Sequence, residues 1–275
     1  MKPVFSIPYG TDYHQTKTVL AELKLNTVCE ETACPNRGDC WSRKSISIQV
    51  LGNVCTRACS FCGEIRGNPK GLLEADEPKR VGAACAKLGL QHIVITMPAR
   101  DDLEDGGAAK IAETVVEIRK QSPRTWVEVL TSDFQGRQDS LKTVLAASPH
   151  VFAHNLETVR RLTPQVRSKA TYDRSLWVLK TAKTIGAKTK SGLMLGVGET
   201  KEELQETFAD LQSVGVEILT IGQYYPPSPK HHPLIKIYEK DEFEDLKKEA
   251  QSVGIAHVFS GPLIRSSHYE TQIFN

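Results

Sequence analysis

Three cysteines, Cys55, Cys59 and Cys62, stand in the stretch "NVCTRACSFCG" from Asn53 to Gly63. Intervals of three and then two residues do not suit a disulfide framework, and a structural zinc site wants four ligands, commonly as two close pairs. Three thiolates on one short loop can instead hold three irons of a four-iron, four-sulfur cube, leaving the fourth iron open to a small-molecule chelate. Zinc binding and chance proximity are the alternatives. A second group, Cys29, Cys34 and Cys40, lies just upstream in "CEETACPNRGDC". The remaining cysteine, Cys85, sits among small apolar residues in "VGAACAKLGL" and reads as a buried, inert thiol.

Composition bears on whether such thiols stay reduced. The chain has 275 residues, 40% hydrophobic and 25% charged, the balance of a soluble globular protein with material for a core. A net charge of +2 without clustered lysine and arginine argues against a nucleic-acid partner. The opening "MKPVFSIPYGTDYH" has no apolar core or cleavage site of a secretory signal. No run reaches the eighteen or so apolar residues of a membrane helix, so no membrane association is expected. The expectation is a cytoplasmic chain, where clustered cysteines serve as metal ligands or catalysts.

The elements that must position these thiols come from periodicity. Short β-branched runs at "SISIQVLGNV", "HIVIT", "WVEVL", "HVFAHN", "KSGLML" and "EILTIGQ" predict six strands. Between them, helical patterns are predicted over 74–87, 109–120, 141–147, 174–185 and 201–214. In the last, Leu204, Phe208, Leu211 and Val214 form one apolar face, Thr200 and Glu203 a capping box, and Gly215 a stop. This alternation implies parallel βα units, in a full or partial barrel or an open doubly wound sheet. Both gather chemistry at the C-terminal strand ends, where "CTRACSFC" follows the first strand.

The spacing C-x3-C-x2-C after that strand, with Phe61 before the last cysteine, resembles the radical S-adenosylmethionine superfamily. "CEETACPNRGDCW" resembles the C-x4-C-x5-C signature of the lipoyl synthase family within it, and "SGPLIRSSHYE" its Arg-Ser-Ser tail. "RDDLEDGGA", "FAHNLETV", "KSGLMLGVGET" and "TIGQYYPPSPKHHP" fit the same family, so the resemblance runs from about Cys29 to Tyr269.

The resemblance implies an α/β fold: a partial (βα)6 TIM-type barrel over 45–225, with an N-terminal extension, 1–44, and a C-terminal extension, 226–275, closing it in one compact unit. It implies two 4Fe-4S clusters and S-adenosylmethionine. One cluster on Cys55, Cys59 and Cys62 would cleave S-adenosylmethionine to a deoxyadenosyl radical. The other, on Cys29, Cys34, Cys40 and Ser267, with Ser266 as the fallback, would be consumed as sulfur donor. Two sulfurs would enter the sixth and eighth carbons of an octanoyl chain attached to a carrier lysine. The implied partners are octanoylated lipoyl domains of 2-oxoacid dehydrogenase complexes and the glycine cleavage H protein, a reductant such as ferredoxin or flavodoxin, and a cluster-assembly carrier. The alternatives are another sulfur-inserting or methylthio-transferring radical enzyme, or a non-catalytic zinc or electron-transfer module.

Cofactor contacts are expected from Asn155 and Glu157 at the fourth strand's end, and from Arg174, Gly196 and Gln223. Each has a plainer reading: a strand exit for the first pair, a solvated arginine, a tight turn and a glutamine packed at a barrel rim. Arg100, Asp101 and Asp102 read as readily as a solvated helix-entry loop. His231 and His232 are expected in solvent, and Arg265 is expected to orient the serine-bearing tail. Two positions depart from the family's pattern, Met97-Pro98-Ala99 ahead of Arg100 and His268 between the serines and Tyr269.

Overall fold

A computed structural model of the chain describes residues 11–31, 34 and 36–267. It has two compact units, one within Met1–Thr56 and Glu64–His150, the other within Arg57–Gly63 and Val151–Asn275. His268 and Tyr269 lie outside the described residues.

The first unit contains α1 (Thr11–Glu22), β1 (Asn26–Thr27), α2 (Val28–Glu31), α3 (Arg37–Ser42), β2 (Ser45–Gln49), β3 (Val54–Cys55) and β4 (Ile65–Arg66). It continues with α4 (Glu77–Leu88), β5 (His92–Thr96), α5 (Ala108–Gln121), β6 (Trp126–Leu130) and α6 (Gln138–Ala146). Strands β2, β5 and β6 run parallel, with Ser45 level with His92 and His92 with Trp126. Their side chains, including Ile46, Ile48, Ile93, Val94, Ile95, Val127 and Val129, are buried, as a parallel sheet covered on both faces requires. Strand β1 pairs antiparallel with β2.

The second unit contains β7 (Val151–Ala153), α7 (Thr163–Val166), α8 (Tyr172–Thr184), β8 (Thr189–Leu195), α9 (Lys201–Ser213), β9 (Ile218–Gln223), α10 (Lys240–Ser252) and β10 (His257–Gly261). Its strands lie in chain order, all parallel. Leu204, Phe208 and Leu211 of α9 share a core with Leu193, Leu195, Leu219 and Ile221. Since strand side chains alternate, Lys190, Gly192 and Thr220 project to the opposite face. The predicted capping box is present: Thr200 Oγ1 accepts the Glu203 N–H, and Glu203 accepts the Thr200 N–H.

Every predicted strand run contains a strand, with two differences. "SISIQVLGNV" breaks after Gln49, because Leu51 and Gly52 turn through φ of 70° and 81°, and resumes only as the two-residue β3. Beyond residue 225 lies a further helix and parallel strand, α10 and β10. Among the described residues no helix is long and apolar enough to cross a membrane.

Phe208 is fully buried, so Phe208→Ala should cost about 3–5 kcal/mol through lost transfer energy and a residual cavity. Urea denaturation followed by far-UV circular dichroism measures this. A loss under about 1 kcal/mol would contradict the packing.

Candidate active site

In the first unit, Cys29 lies on α2 and Cys40 on α3, both buried, and Cys34 between them is half-buried. Backbone bonds fold the segment back: the Cys34 N–H donates to the Cys29 carbonyl at 3.1 Å and the Cys40 N–H to the Asn36 carbonyl at 2.9 Å. Trp41 stacks on Tyr13 with centroids 5.0 Å apart, and the Arg37 guanidinium lies over both rings. Burial, then the neighbouring Cys34, pushes the Cys29 thiol up to about 11. Burial also raises Cys40, with Cys29 and Cys34 adding to it. Neighbouring cysteines thus add to burial at Cys29 and Cys40, and a bound cation would relieve that repulsion and favour their thiolates. Cys85 fits the expectation of an inert thiol: burial pushes it up to about 12.

Cys55 closes β3, whose pairing with β4 is extended by the Gly67 N–H donating to the Cys55 carbonyl at 3.0 Å. The approach to it is clamped. Glu77 accepts the Leu51 N–H at 2.8 Å, Arg100 Nη1 donates to the Leu51 carbonyl at 2.8 Å, and the Thr56 N–H donates to the Ala99 carbonyl at 2.9 Å. Arg100 is 1% exposed; it also donates to the Leu72 carbonyl and, through Nε and Nη2, to Asp102 at 2.9 Å each. Asp102 in turn accepts the Gly71 N–H at 2.8 Å. For Arg100 and Asp102 the solvated-loop reading is thus corrected: they form a fork holding the loops at 51 and 71–72. The Arg100 hydrogen bonds outweigh burial and hold the Asp102 carboxyl down to about 2.

Cys59 and Cys62 belong to the second unit. The Ser60 N–H donates to the Val166 carbonyl at 2.9 Å and its hydroxyl to the Gln165 carbonyl at 3.0 Å. The Ser168 N–H donates to Cys59 Sγ at 3.4 Å. Burial, then Cys62, pushes the Tyr224 phenol up to about 12. His231 and His232 are half-buried and partnered rather than solvated: His231 pairs with Ser228, and His232 with the Val197 carbonyl while its N–H meets Ser60. Among the described residues, no three His, Cys, Asp or Glu side chains converge tightly enough to hold a single metal ion.

The face of the second unit's strands opposite its apolar core carries polar side chains. Asn155 Nδ2 donates to Glu157 Oε1 at 3.0 Å and to Ser266 Oγ at 2.7 Å, while Asn155 Oδ1 is buried with no hydrogen-bond partner. Glu157 adopts φ of 69°, a strained value for a side chain of this kind, held by its N–H to Gly192 and its carbonyl to Met194. Burial raises its carboxyl, opposed by Arg167. Gly192 has no side chain, and Asn155 Oδ1, Ser266 Oγ and Thr220 Oγ1 close in on the place of one, each about 3 Å from where a Cβ would sit. Lys190 is fully buried and donates to the Ser266 carbonyl.

The other residues expected to contact the cofactor have local structural partners. Gly196 needs φ of 98°, and a Cβ there would sit 2.2 Å from the Lys236 carbonyl. Glu199 clasps its turn by accepting the Gly196 and Val197 N–H groups. Gln223 is buried and saturated by Leu195, Tyr224, Lys236 and Tyr238. Arg174 Nη1 donates to the Lys169 carbonyl. Arg265 donates to the Pro262 and Ile264 carbonyls, which folds the tail on itself just ahead of the serines. Sequence reasoning singled out neither Lys190 nor Arg167; a lysine inside the apolar run "TKSGLML" was the available signal for the first.

The chain matches the family model described as the Radical SAM superfamily over residues 50–211. It is 46% identical over 271 residues to the lipoyl synthase of Thermus thermophilus, covering 98% of this chain and 84% of that protein. With the lipoyl synthase of Geobacillus thermodenitrificans it shares 48% identity over 274 residues, covering 98% and 92%. Among solved structures it is similar to methylornithine synthase, with TM-score 0.58 at 14% identity over 97% of this chain and 89% of that one, a likeness of fold. Coproporphyrinogen III oxidase from Escherichia coli, described as a radical SAM enzyme, gives TM-score 0.54 at 15% identity over 75% and 52%.

The Arg100–Asp102 fork has a pH signature. A carboxyl depressed on folding contributes stability that is present above its unfolded value, 3.8, and lost as pH falls through about 2. Asp102→Asn should therefore destabilise the chain at pH 7, with the difference from wild type shrinking below pH 4. Denaturation midpoints across that range measure it; a pH-independent difference would refute the pairing.

Proposed function

From the premise that this chain belongs to the lipoyl synthase family of the radical S-adenosylmethionine superfamily, we propose that its two cysteine groups divide one reaction between them. That reaction is the insertion of two sulfur atoms into the sixth and eighth carbons of a protein-bound octanoyl group. The observation that carries the division of labour is the upstream set: the segment bearing Cys29, Cys34 and Cys40 is folded back on itself in the first unit by the Cys34 N–H to Cys29 carbonyl bond, and neighbouring cysteines add to the effect of burial on Cys29 and Cys40. When bound, two 4Fe-4S clusters and S-adenosylmethionine supply a deoxyadenosyl radical to remove hydrogen and sulfide to replace it.

Cys55, Cys59 and Cys62 would hold the radical-generating cluster through three thiolates. The orphaned Asn155 Oδ1 suits a ribose hydroxyl donor, and Glu157, kept in place by Asn155 and its strained backbone, accepts a second. Gly192, lacking a side chain, lets Asn155 Oδ1, Ser266 Oγ and Thr220 Oγ1 gather against the strand beside these proposed ribose contacts. Arg174 supports the adenosyl group's edge, while Gly196 and Gln223 serve it by fixing the turn and strand end beneath.

Cys29, Cys34, Cys40 and Ser267 hold the sulfur-donating cluster. Ser267 is preferred to Ser266 because the Ser266 hydroxyl is already engaged by Asn155. A serine oxygen binds iron less firmly than thiolate, which suits a cluster that must give up its sulfur. The macromolecular substrate is an octanoylated lipoyl domain. Its carriers are 2-oxoacid dehydrogenase complexes and the glycine cleavage H protein, with ferredoxin or flavodoxin as reductant, a cluster-assembly carrier for repair, and the cytoplasm as compartment.

Anaerobic reconstitution should load about eight irons and eight sulfides per chain, as two four-iron clusters require. Mass spectrometry on an octanoyl-lysyl peptide with S-adenosylmethionine and a reductant should show thiolated product and deoxyadenosine. Cys62→Ala should abolish both, whereas Cys34→Ala should spare some deoxyadenosine and block thiolation. Lipoyl formation by Cys34→Ala would end the donor assignment.

A further inference from the structure

The turn from Thr163 to Ser168 carries none of the family motifs, yet within the second unit it touches both parts of the proposed radical site. On one side it grips the cysteine loop. The Val166 and Gln165 carbonyls accept from Ser60, and the Ser168 N–H points at Cys59 Sγ at 3.4 Å. On the other side Arg167, 8% exposed, sends Nη1 to the Leu156 carbonyl at 3.3 Å and to Ser175 Oγ at 2.7 Å. Leu156 lies between Asn155 and Glu157, and the positive charge of Arg167 is felt by the Glu157 carboxyl. Ser175 is fixed in turn by His154 Nε2 at 3.0 Å, so the guanidinium meets a rigid acceptor.

A backbone N–H aimed at a ligating sulfur has a defined electronic effect. The reduced cluster carries one more electron than the oxidised one, and that charge spreads onto the thiolates. A donor at sulfur stabilises the reduced form more, which raises the reduction potential. The dipole costs nothing to orient during the reaction, because the turn is already held by Ser60.

We propose that residues 163–168 form a positioning element for the radical step: the Ser168 N–H raises the reduction potential of the cluster bound through Cys59, and Arg167 ties the same turn to the strand end that receives the adenosyl group. This rests on the assignment of Cys59 as a cluster ligand and of Asn155 and Glu157 as ribose contacts.

The contrast of Ser168→Pro with Ser168→Ala tests it. Both remove the hydroxyl, but only proline removes the N–H. Arg167, at φ −112° and ψ 120°, already has the extended backbone that a following proline requires. In the reconstituted enzyme, an electron paramagnetic resonance redox titration follows the cluster whose signal changes on adding S-adenosylmethionine. Ser168→Pro should lower its midpoint potential, and Ser168→Ala should leave it at the wild-type value. Equal midpoints in all three proteins, or an equal shift in both variants, would overturn the role of the N–H.

Arg167→Gln gives a second reading that does not depend on proline being tolerated. S-adenosylmethionine should bind about tenfold more weakly at unchanged iron content, with Arg167→Lys recovering part of the loss, and an unchanged Kd would overturn the tie. A wild-type chain with no cluster signal responsive to S-adenosylmethionine would instead refute the ligand assignment itself.

Discussion

A cysteine sulfur lies one rotatable bond from the backbone, so the path of the main chain decides where the thiols can point. That constraint gives weight to the hydrogen bonds that reach main-chain groups around "CTRACSFC". In the first unit, Glu77, Arg100 and Ala99 take the Leu51 N–H, the Leu51 carbonyl and the Thr56 N–H, fixing the chain as it approaches and leaves Cys55. In the second, Val166 and Gln165 take Ser60, directly after Cys59. A loop of this length, gripped at successive residues, loses little further freedom when it binds, so less of the binding energy is spent on ordering.

Holding main chain with charged side chains requires burying charge, which is costly unless every donor is used. Arg100 nearly meets the condition, each of its three nitrogens donating, to two carbonyls and both oxygens of Asp102. Lys190, also fully buried, meets the Ser266 carbonyl on the polar face of the second unit's strands. Glu157 is the exception, with its carboxyl raised by burial and its backbone in the left-handed region at a cost of about 1–3 kcal/mol. Strain of this size, beside the orphaned Asn155 Oδ1, persists only where the surrounding strands over-determine it; such places tend to be binding sites.

The architecture was largely legible because parallel strands buried on both faces leave unmistakable apolar runs. "HIVIT", "WVEVL" and "EILTIGQ" differ from their strands by at most one residue. The boundary at Gln49 was not legible, since β-branched continuity hides the positive φ at Leu51. Strand β10 was passed over, although Glu239 and Glu242 spell a capping box and Phe243, Leu246 and Ala250 an apolar stripe before it. At the candidate site, spacing identified the cysteines because thiol chemistry tolerates few other meanings. Arg100 was ambiguous because charge alone cannot separate a solvated arginine from a buried one; only the carbonyls at Leu51 and Leu72, distant in sequence, decide it. Ser168 was illegible in principle, because its contribution is a backbone N–H that any residue but proline supplies.

The tail shows how these constraints combine. Ser266 is held twice, by Asn155 at its hydroxyl and by Lys190 at its carbonyl, and Gly222 lets the Ile264 carbonyl approach to where a Cβ would otherwise sit. The main chain is thereby anchored one residue before the proposed ligand. An anchored backbone presents the Ser267 hydroxyl from a defined place while leaving its χ1 rotation to make or release a bond. A weak ligand on a firm support can exchange without moving the fold, whereas a weak ligand on a loose tail would be lost as soon as it let go. Were Ser266 to give up the Asn155 hydrogen bond to take that part, Asn155 Nδ2 would keep only Glu157, and its second N–H, on a buried side chain, would go unpaired at about 1–3 kcal/mol.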